Sequence, residues 1–403
     1  MKTMKEHTIE LMTPIMLGEA CVASVAVGEH GQYLAGIPSA EFYHDADTNV
    51  EIACLTAEYY SQIAAGQWDL YNAEARAIGQ SIKYAEFGIP DIDQTNPIIK
   101  SENDLDKIKW PDDPLKCGTI PEYVRTLELF EKYAGMPPSM YSAITSAFTL
   151  ACGICSYAGM MKFIKRSPEL AHEILRRCTY DILVPYIKAI HAKFPDVLIK
   201  LSDAWEMVPN VSPKIQVEYG FDYYDKLRDA VEPDGAIIEW WLAYSEKNFP
   251  NPKEYIRGKL KYNSTVFCPS TEVDVVPYSV YQEVALEEDA SLMLGLPSTA
   301  VYDGPPEAII EHSRMLFNVK GDIPLHQFNV IVQAPYSTKP EYIIATGAAF
   351  KAFSLVTDNN YDAVKVEPPK LTQSFGDFVR NKAKENPDGY SFKWLGRAKF
   401  YGE

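Results

Sequence analysis

Chemistry in this chain has to come from a few side chains set at the ends of apolar runs. Glu239 follows GAII and precedes Trp240 and Trp241. A carboxyl in such a wall is short of water, which favours its protonated form and suits a general acid; facing a metal ion it would be an anionic ligand. Cys268 closes STVFC ahead of Pro269, so a thiolate there could serve the same hollow, although a buried cysteine is commonly inert packing. His326 stands just ahead of the run FNVIVQA and is a third candidate ligand. Cys152 and Cys155 form a C-x-x-C, but their setting FTLACGICSYAGMMKF is apolar and no second pair exists, so packing explains them better than a redox or zinc site.

These side chains need elements to hold them. Short β-branched or aromatic runs predict strands at VLIKLSD (197–203), GAIIEWW (235–241), STVFCPS (264–270) and FNVIVQA (328–334). Helical periodicity runs over 46–65, 119–134, 168–192, 210–231, 306–317 and 340–354. Ser167 and Pro168 mark one helix start, and Pro185 should kink that helix. Strands alternating with helices argue for an α/β protein with a parallel sheet, and so many units argue for closure into a (β/α)8 TIM barrel. Active sites of such barrels gather at the C-terminal strand ends, which selects Asp203, Glu239, Cys268 and Gln333. The chain reads as one domain over 1–403, with a barrel core at about 35–355 behind an N-terminal extension. The Pro- and Asp-rich stretch 88–114 reads as a surface excursion, and the tail 358–403 as a segment wrapping the surface.

Composition narrows the function. The formal net charge is −17 and no basic run occurs, which excludes a nucleic-acid groove and disfavours an anionic membrane. No secretory leader pattern and no apolar run of about 18 residues is present, so the expected location is the cytoplasm. Seven cysteines are an odd number for a disulfide framework and read as reduced thiols.

The order of segments resembles the uroporphyrinogen decarboxylase superfamily. LAGIPSAEFYHDADTNVEIACLTAEYY is similar to its early helical region, and DLYNAEARAIGQSIKYAEFGIPDI with PIIKSENDLDKIKWPD to its second strand, acidic–small loop and descending segment. SAITSAFTLACGI resembles the third-strand motif, RSPELAHEILRRCTYDILVPYIKAI the next helix, and LSDAWEMVPNVSPKIQVEYGFDYYDKLRDAV the Asp-bearing strand and its Ser-Pro helix. YDGPPEAIIEHSRMLF resembles the late Gly-x-Pro-Glu helix. Decarboxylases of this group hold an eight-carboxylate tetrapyrrole with an arginine-rich N-terminal segment. Here TPIMLGEACVASVAVGEHGQYLAGI has none, and the first arginine is Arg76. A polyanion needs those cations, so uroporphyrinogen decarboxylation is not expected.

The resemblance then implies the other branch, methyltransferases that work with a corrinoid (cobalamin-type) cofactor carried on a separate protein. Its coenzyme M members share a His-x-Cys and a late Cys that hold zinc; Glu239, Trp241 and Gln333 stand at the equivalent positions here. The leading expectation is therefore transfer of methyl from a small O-methyl donor, such as an aryl methyl ether, to cobalt of a corrinoid protein. Its departing oxygen would be assisted by an acid or zinc at Glu239 and Cys268, with His326 as a further ligand and Asp203 in the pocket. Asn72 and Glu74 at the second-strand loop, with Trp241, Gln333 and Tyr336, would bind substrate. Trp205, Trp240, Tyr244 and Tyr278 also follow predicted strands and could wall an aromatic pocket. The stretch from Val275 to Leu296 is long for this family and reads as an insertion: a lid, a partner platform or the arm of a homodimer. Alternatives are methyl transfer from corrinoid to a thiol, and a non-catalytic corrinoid- or tetrapyrrole-binding protein.

Overall fold

A computed structural model describes residues 2–63, 72–135, 140–202, 205–241, 244–386 and 388–401. Nine strands are described: β1 (Val22–Ala26), β2 (Ile82–Lys83), β3 (Asp91–Ile92), β4 (Met140–Thr145), β5 (Leu198–Ser202), β6 (Ile238–Trp241), β7 (Thr265–Cys268), β8 (Ser291–Gly295) and β9 (Phe328–Gln333). Seven of them run parallel in two arcs, β1-β9-β8-β7 and β4-β5-β6, while β2 and β3 form a separate antiparallel hairpin. Helices follow the parallel strands and cover their outer side, which is the (β/α)8 barrel class expected. The segment DLY at 69–71, read as the start of the second strand, lies outside the described residues.

Each wall strand is short because its sequence is. Leu198–Ser202 has five residues after the turn that follows Phe194, and every second side chain faces the same way. In β6 the face is fixed by Trp240, which is fully buried against Phe221 and Tyr224 of the outer helices and Tyr262 of the turn after the helix Pro252–Lys259, with ring centroids 5.3, 4.9 and 5.8 Å away. Its neighbour Glu239 must therefore point inward. Lys200 is Glu239's register partner on β5 and shares that inner face.

The structure redraws three boundaries. The first wall strand, Val22–Ala26, pairs with β9 and lies upstream of residue 35. The stretch 275–296 supplies a helix, Tyr278–Glu287, packed on β7 and then β8 itself. It is a regular unit of the wall and no lid, platform or arm; SLMLG is short and has no β-branched or aromatic residue, so it does not stand out as a strand in sequence. Finally, the helix 168–192 is interrupted: Cys178–Leu183 forms a wider π turn just before Pro185, whose missing N–H breaks the regular ladder.

The tail does more than lie on the surface. Its helix Phe375–Glu385 packs on the helices Gly28–Ala35 and Ala46–Tyr59. Trp394 is fully buried, and its Nε1 donates to Glu51 at 3.0 Å. Glu51 also accepts from the backbone N–H groups of Ser391 and Phe392 and from the Tyr133 hydroxyl. One buried carboxylate thus gathers four donors from the tail and a neighbouring helix. No single helix among the described residues is long and apolar enough to cross a membrane. Replacing Glu51 by Ala strands those donors and should lower stability by about 3 kcal/mol, read as a lower urea midpoint, with faster proteolysis beyond residue 385.

Candidate active site at the strand ends

A cavity of about 340 Å³ opens at the C-terminal ends of β4 and β5. Asn72, Thr145, Thr149, Ser202 and Trp205 line its barrel side, and the hairpin segment Ile89–Ile92 with Gln94 folds over as the opposite wall. The stretch read as a surface excursion thus closes the site. A larger hollow, about 670 Å³, lies on the outer wall between Tyr59–Gln62, the helix Pro340–Ser354 and the tail, and contains no strand-end residue.

Two buried carboxylates set the floor. Glu74, fully buried, accepts from the Thr145 N–H at 2.8 Å and from the Thr145 hydroxyl on the same oxygen. Burial pushes its carboxyl above the usual carboxylate range, against the pull of those donors. Glu206, also fully buried, accepts from the Ser146 hydroxyl and, at 2.8 Å, from the Thr149 hydroxyl. Ser146 caps the helix Ala147–Cys155 by accepting from the Thr149 N–H. Trp205 stacks on Tyr157 at 5.2 Å and 28°, and the Tyr157 hydroxyl bonds the Asn210 carbonyl.

One register step below Ser202 lies an ion pair. Lys200 Nζ is 3.4 Å from Glu239 Oε2, both side chains nearly buried, and Glu239 Oε1 accepts from the N–H and hydroxyl of Ser264. Burial pushes the Lys200 ammonium below the usual lysine value, with Glu239 opposing.

The expected residues therefore separate. Asn72 lines the cavity in a left-handed backbone conformation (φ 72°), and Glu74 sits behind Thr145 as a positioning residue. Glu239 faces the barrel interior, while Cys268 lies beside Tyr281 of the helix Tyr278–Glu287, on the outer side of the wall. Burial pushes the Cys268 thiol up to about 12, so it is protonated near neutrality. His326 belongs to the 3-10 turn Leu325–Gln327 that enters β9, at the opposite end of the strand from the cavity. The suggested zinc ligands Glu239, Cys268 and His326 do not converge: the three stand in three places, and among the described residues no group of three or more His, Cys, Asp and Glu side chains is arranged to hold a metal ion. Trp240 and Tyr278 pack between strands and helices, Tyr278 by donating to the Gly295 carbonyl at 2.9 Å. Asp203 and the side chain of Trp241 lie outside the described residues.

Gln333 and Tyr336 stand elsewhere on the rim. Gln333 donates to the buried Glu29 at 3.1 Å. Tyr336, 41% exposed, meets Tyr33 and Phe87, and Tyr401 stacks on Tyr33. The loop carrying Tyr336 is held by His30, a residue the sequence did not single out. His30 Nδ1 faces the Tyr336 carbonyl at 2.9 Å, which assigns the proton to Nδ1, and Nε2 then accepts from the Tyr60 hydroxyl at 2.7 Å. Thr145, Thr149, Asp91, Gln94 and Glu206 were likewise missed. The signal available was SAITSAFTLACGI, whose hydroxyls needed buried acceptors.

A barrel with its cavity at the C-terminal strand ends defines the class; the family follows from comparison. The sequence matches the model for uroporphyrinogen decarboxylase (URO-D) over residues 20–351, and the chain belongs to that family. Among solved structures, a methyltransferase from Methanosarcina mazei superposes with a TM-score of 0.63, covering 88% of this chain and 99% of that one at 17% identity, a likeness of fold. No curated protein matches the sequence.

Two outcomes follow. Lys200→Met or Glu239→Leu alone removes one partner of a buried ion pair and should destabilise by about 3 kcal/mol, while the double variant regains much of the loss in urea unfolding. Burial pushes His30 down to about 4, so the folded state holds it neutral while the unfolded chain takes up a proton below about 6.5. Stability from this group is present above that value and falls as pH drops toward 4, by up to roughly 3 kcal/mol. His30→Gln should flatten that acid-side loss when urea midpoints at pH 7 and 4.5 are compared.

Proposed function

We propose that this protein is a methyltransferase that moves a methyl group from a small methylated donor to the cobalt of a corrinoid held by a separate protein. One observation carries the reading. The family's strand-end cavity is present, yet no lysine or arginine is among the described residues that line it. The tetrapyrrole polyanion of a decarboxylase would be left without counter-charges, whereas a small neutral or cationic donor meets no such penalty. The fold-level likeness to the Methanosarcina mazei methyltransferase supports the same branch.

The chain's own part is to bind the donor at the cavity with its methyl turned outward, where the partner's reduced cobalt attacks in line. For the O-methyl donor suggested by the sequence, the departing oxygen needs a proton. Asp91 is the one carboxyl group among the described residues that line the cavity, and the Lys200–Glu239 ion pair lies one layer beneath it. No step is routed through zinc, because the residues suggested for it do not converge. The thiol-acceptor direction, which depends on a Lewis acid, has correspondingly less support.

The test is an incubation with reduced corrinoid protein and a panel of methyl donors, including 2-methoxyphenol and methylated amines, followed by absorbance. Conversion to the methyl-cobalt spectrum with at least one donor, lowered at least tenfold by Thr149→Val or Trp205→Ala, is expected. Absence of methyl-cobalt with every donor, together with turnover of uroporphyrinogen, would refute the assignment.

A further inference from the structure

We propose that the strand-end cavity is built for a permanently cationic donor, a small quaternary ammonium compound. The inference deepens the methyltransferase reading by naming its substrate class, but the binding it asserts does not depend on the transfer step.

The lining is electron-rich. Thr145 owns one hydroxyl proton, and it goes to Glu74, on the same oxygen that accepts the Thr145 N–H. What the Thr145 side chain turns toward the cavity is therefore oxygen lone pairs. The Asp91 carboxylate adds a negative charge, its Oδ1 steadied by the Ile92 N–H at 2.7 Å. Trp205 supplies an indole, the aromatic group that attracts cations best, braced from behind by Tyr157.

Nearby basic groups are engaged elsewhere. Arg76 donates to Tyr84 and meets the His44 ring, Lys200 pairs with Glu239, and Lys83 pairs with Asp93 at 2.8 Å. A carboxylate, lone pairs and an indole around one small hollow repel an anion and gain little from a neutral ether oxygen. A trimethylammonium head suits all three, since its positive charge is spread over its methyl hydrogens.

The chemistry is consistent with that choice. When cobalt(I) attacks a methyl carbon on the quaternary nitrogen, the cobalt electron pair forms the new cobalt–carbon bond. The pair of the broken carbon–nitrogen bond leaves with nitrogen, giving a neutral tertiary amine and methyl-cobalt(III). No proton is needed, so the scarcity of acids in the cavity ceases to be an obstacle. Positive charge leaves nitrogen as the bond breaks, so the electron-rich wall acts on binding more than on turnover.

Choline and its uncharged carbon isostere, 3,3-dimethyl-1-butanol, separate charge from shape. Titration calorimetry on the full chain, with no corrinoid protein present, should show choline binding at least about tenfold more tightly. Asp91→Asn and Trp205→Leu should each cut that preference severalfold, and Asp91→Glu should restore part of it; unchanged thermal midpoints would show the variants folded. Equal affinity for the two compounds, no choline binding at concentrations up to about 20 mM, or a preference indifferent to both variants overturns the inference. Choline bound with the expected preference but never demethylated by reduced corrinoid protein would instead refute the transfer reading and leave the binding claim standing.

Discussion

The site rests on the burial of two carboxylates beneath a strand end. Glu74 and Glu206 are both inaccessible to solvent; Glu74 accepts on one oxygen from the Thr145 N–H and hydroxyl, and Glu206 accepts from the hydroxyls of Ser146 and Thr149. An acceptor so buried is costly unless paired, so the pairing fixes the end of β4, the start of the following helix and the hydroxyls of the cavity together. It also decides polarity: a hydroxyl that gives its proton downward shows only lone pairs upward. The fold's stability requirement and the character of the binding wall are one arrangement.

Family membership and chemistry then diverge in an instructive way. The barrel and its strand-end hollow belong to the uroporphyrinogen decarboxylase family. A fold of this kind hosts whatever chemistry its loops allow. Here no lysine or arginine is among the described residues of the lining, and the pair inside the barrel, Lys200 with Glu239, cancels its own charge instead of offering an ammonium to the cavity. The hairpin β2–β3 and the segment leading into it supply the opposite wall, with Asp91 as its one acid, so this excursion as well as the barrel sets what can enter.

Much of the architecture was legible because strands and helices announce themselves locally. The runs ending at Asp203, Trp241 and Ala334 became β5, β6 and β9 within a few residues. Facing was harder to read. In Thr265–Cys268 both sides are apolar, as in strands covered on two faces, so nothing in TVFC tells that Cys268 points outward to Tyr281. His326 could have been set aside from sequence, since a residue ahead of a strand enters at its N-terminal end. Asp91 and Gln94 were hidden by their Pro- and Asp-rich surroundings, which look like surface until tertiary packing folds them over the cavity. Thr149 was in view but unremarkable, because its meaning depends on Glu206, fixed only when the next strand has been placed.

The central claim is that donor binds at the strand ends, between Trp205 and Asp91. Arsenocholine, in which arsenic replaces the quaternary nitrogen, tests it most directly, because anomalous scattering locates the arsenic in a crystal of the complex without interpretation of the surrounding density. The account predicts a single arsenic peak over the indole of Trp205, facing the Asp91 carboxylate. A peak confined to the hollow on the outer wall, or within the barrel beside Lys200 and Glu239, would contradict it.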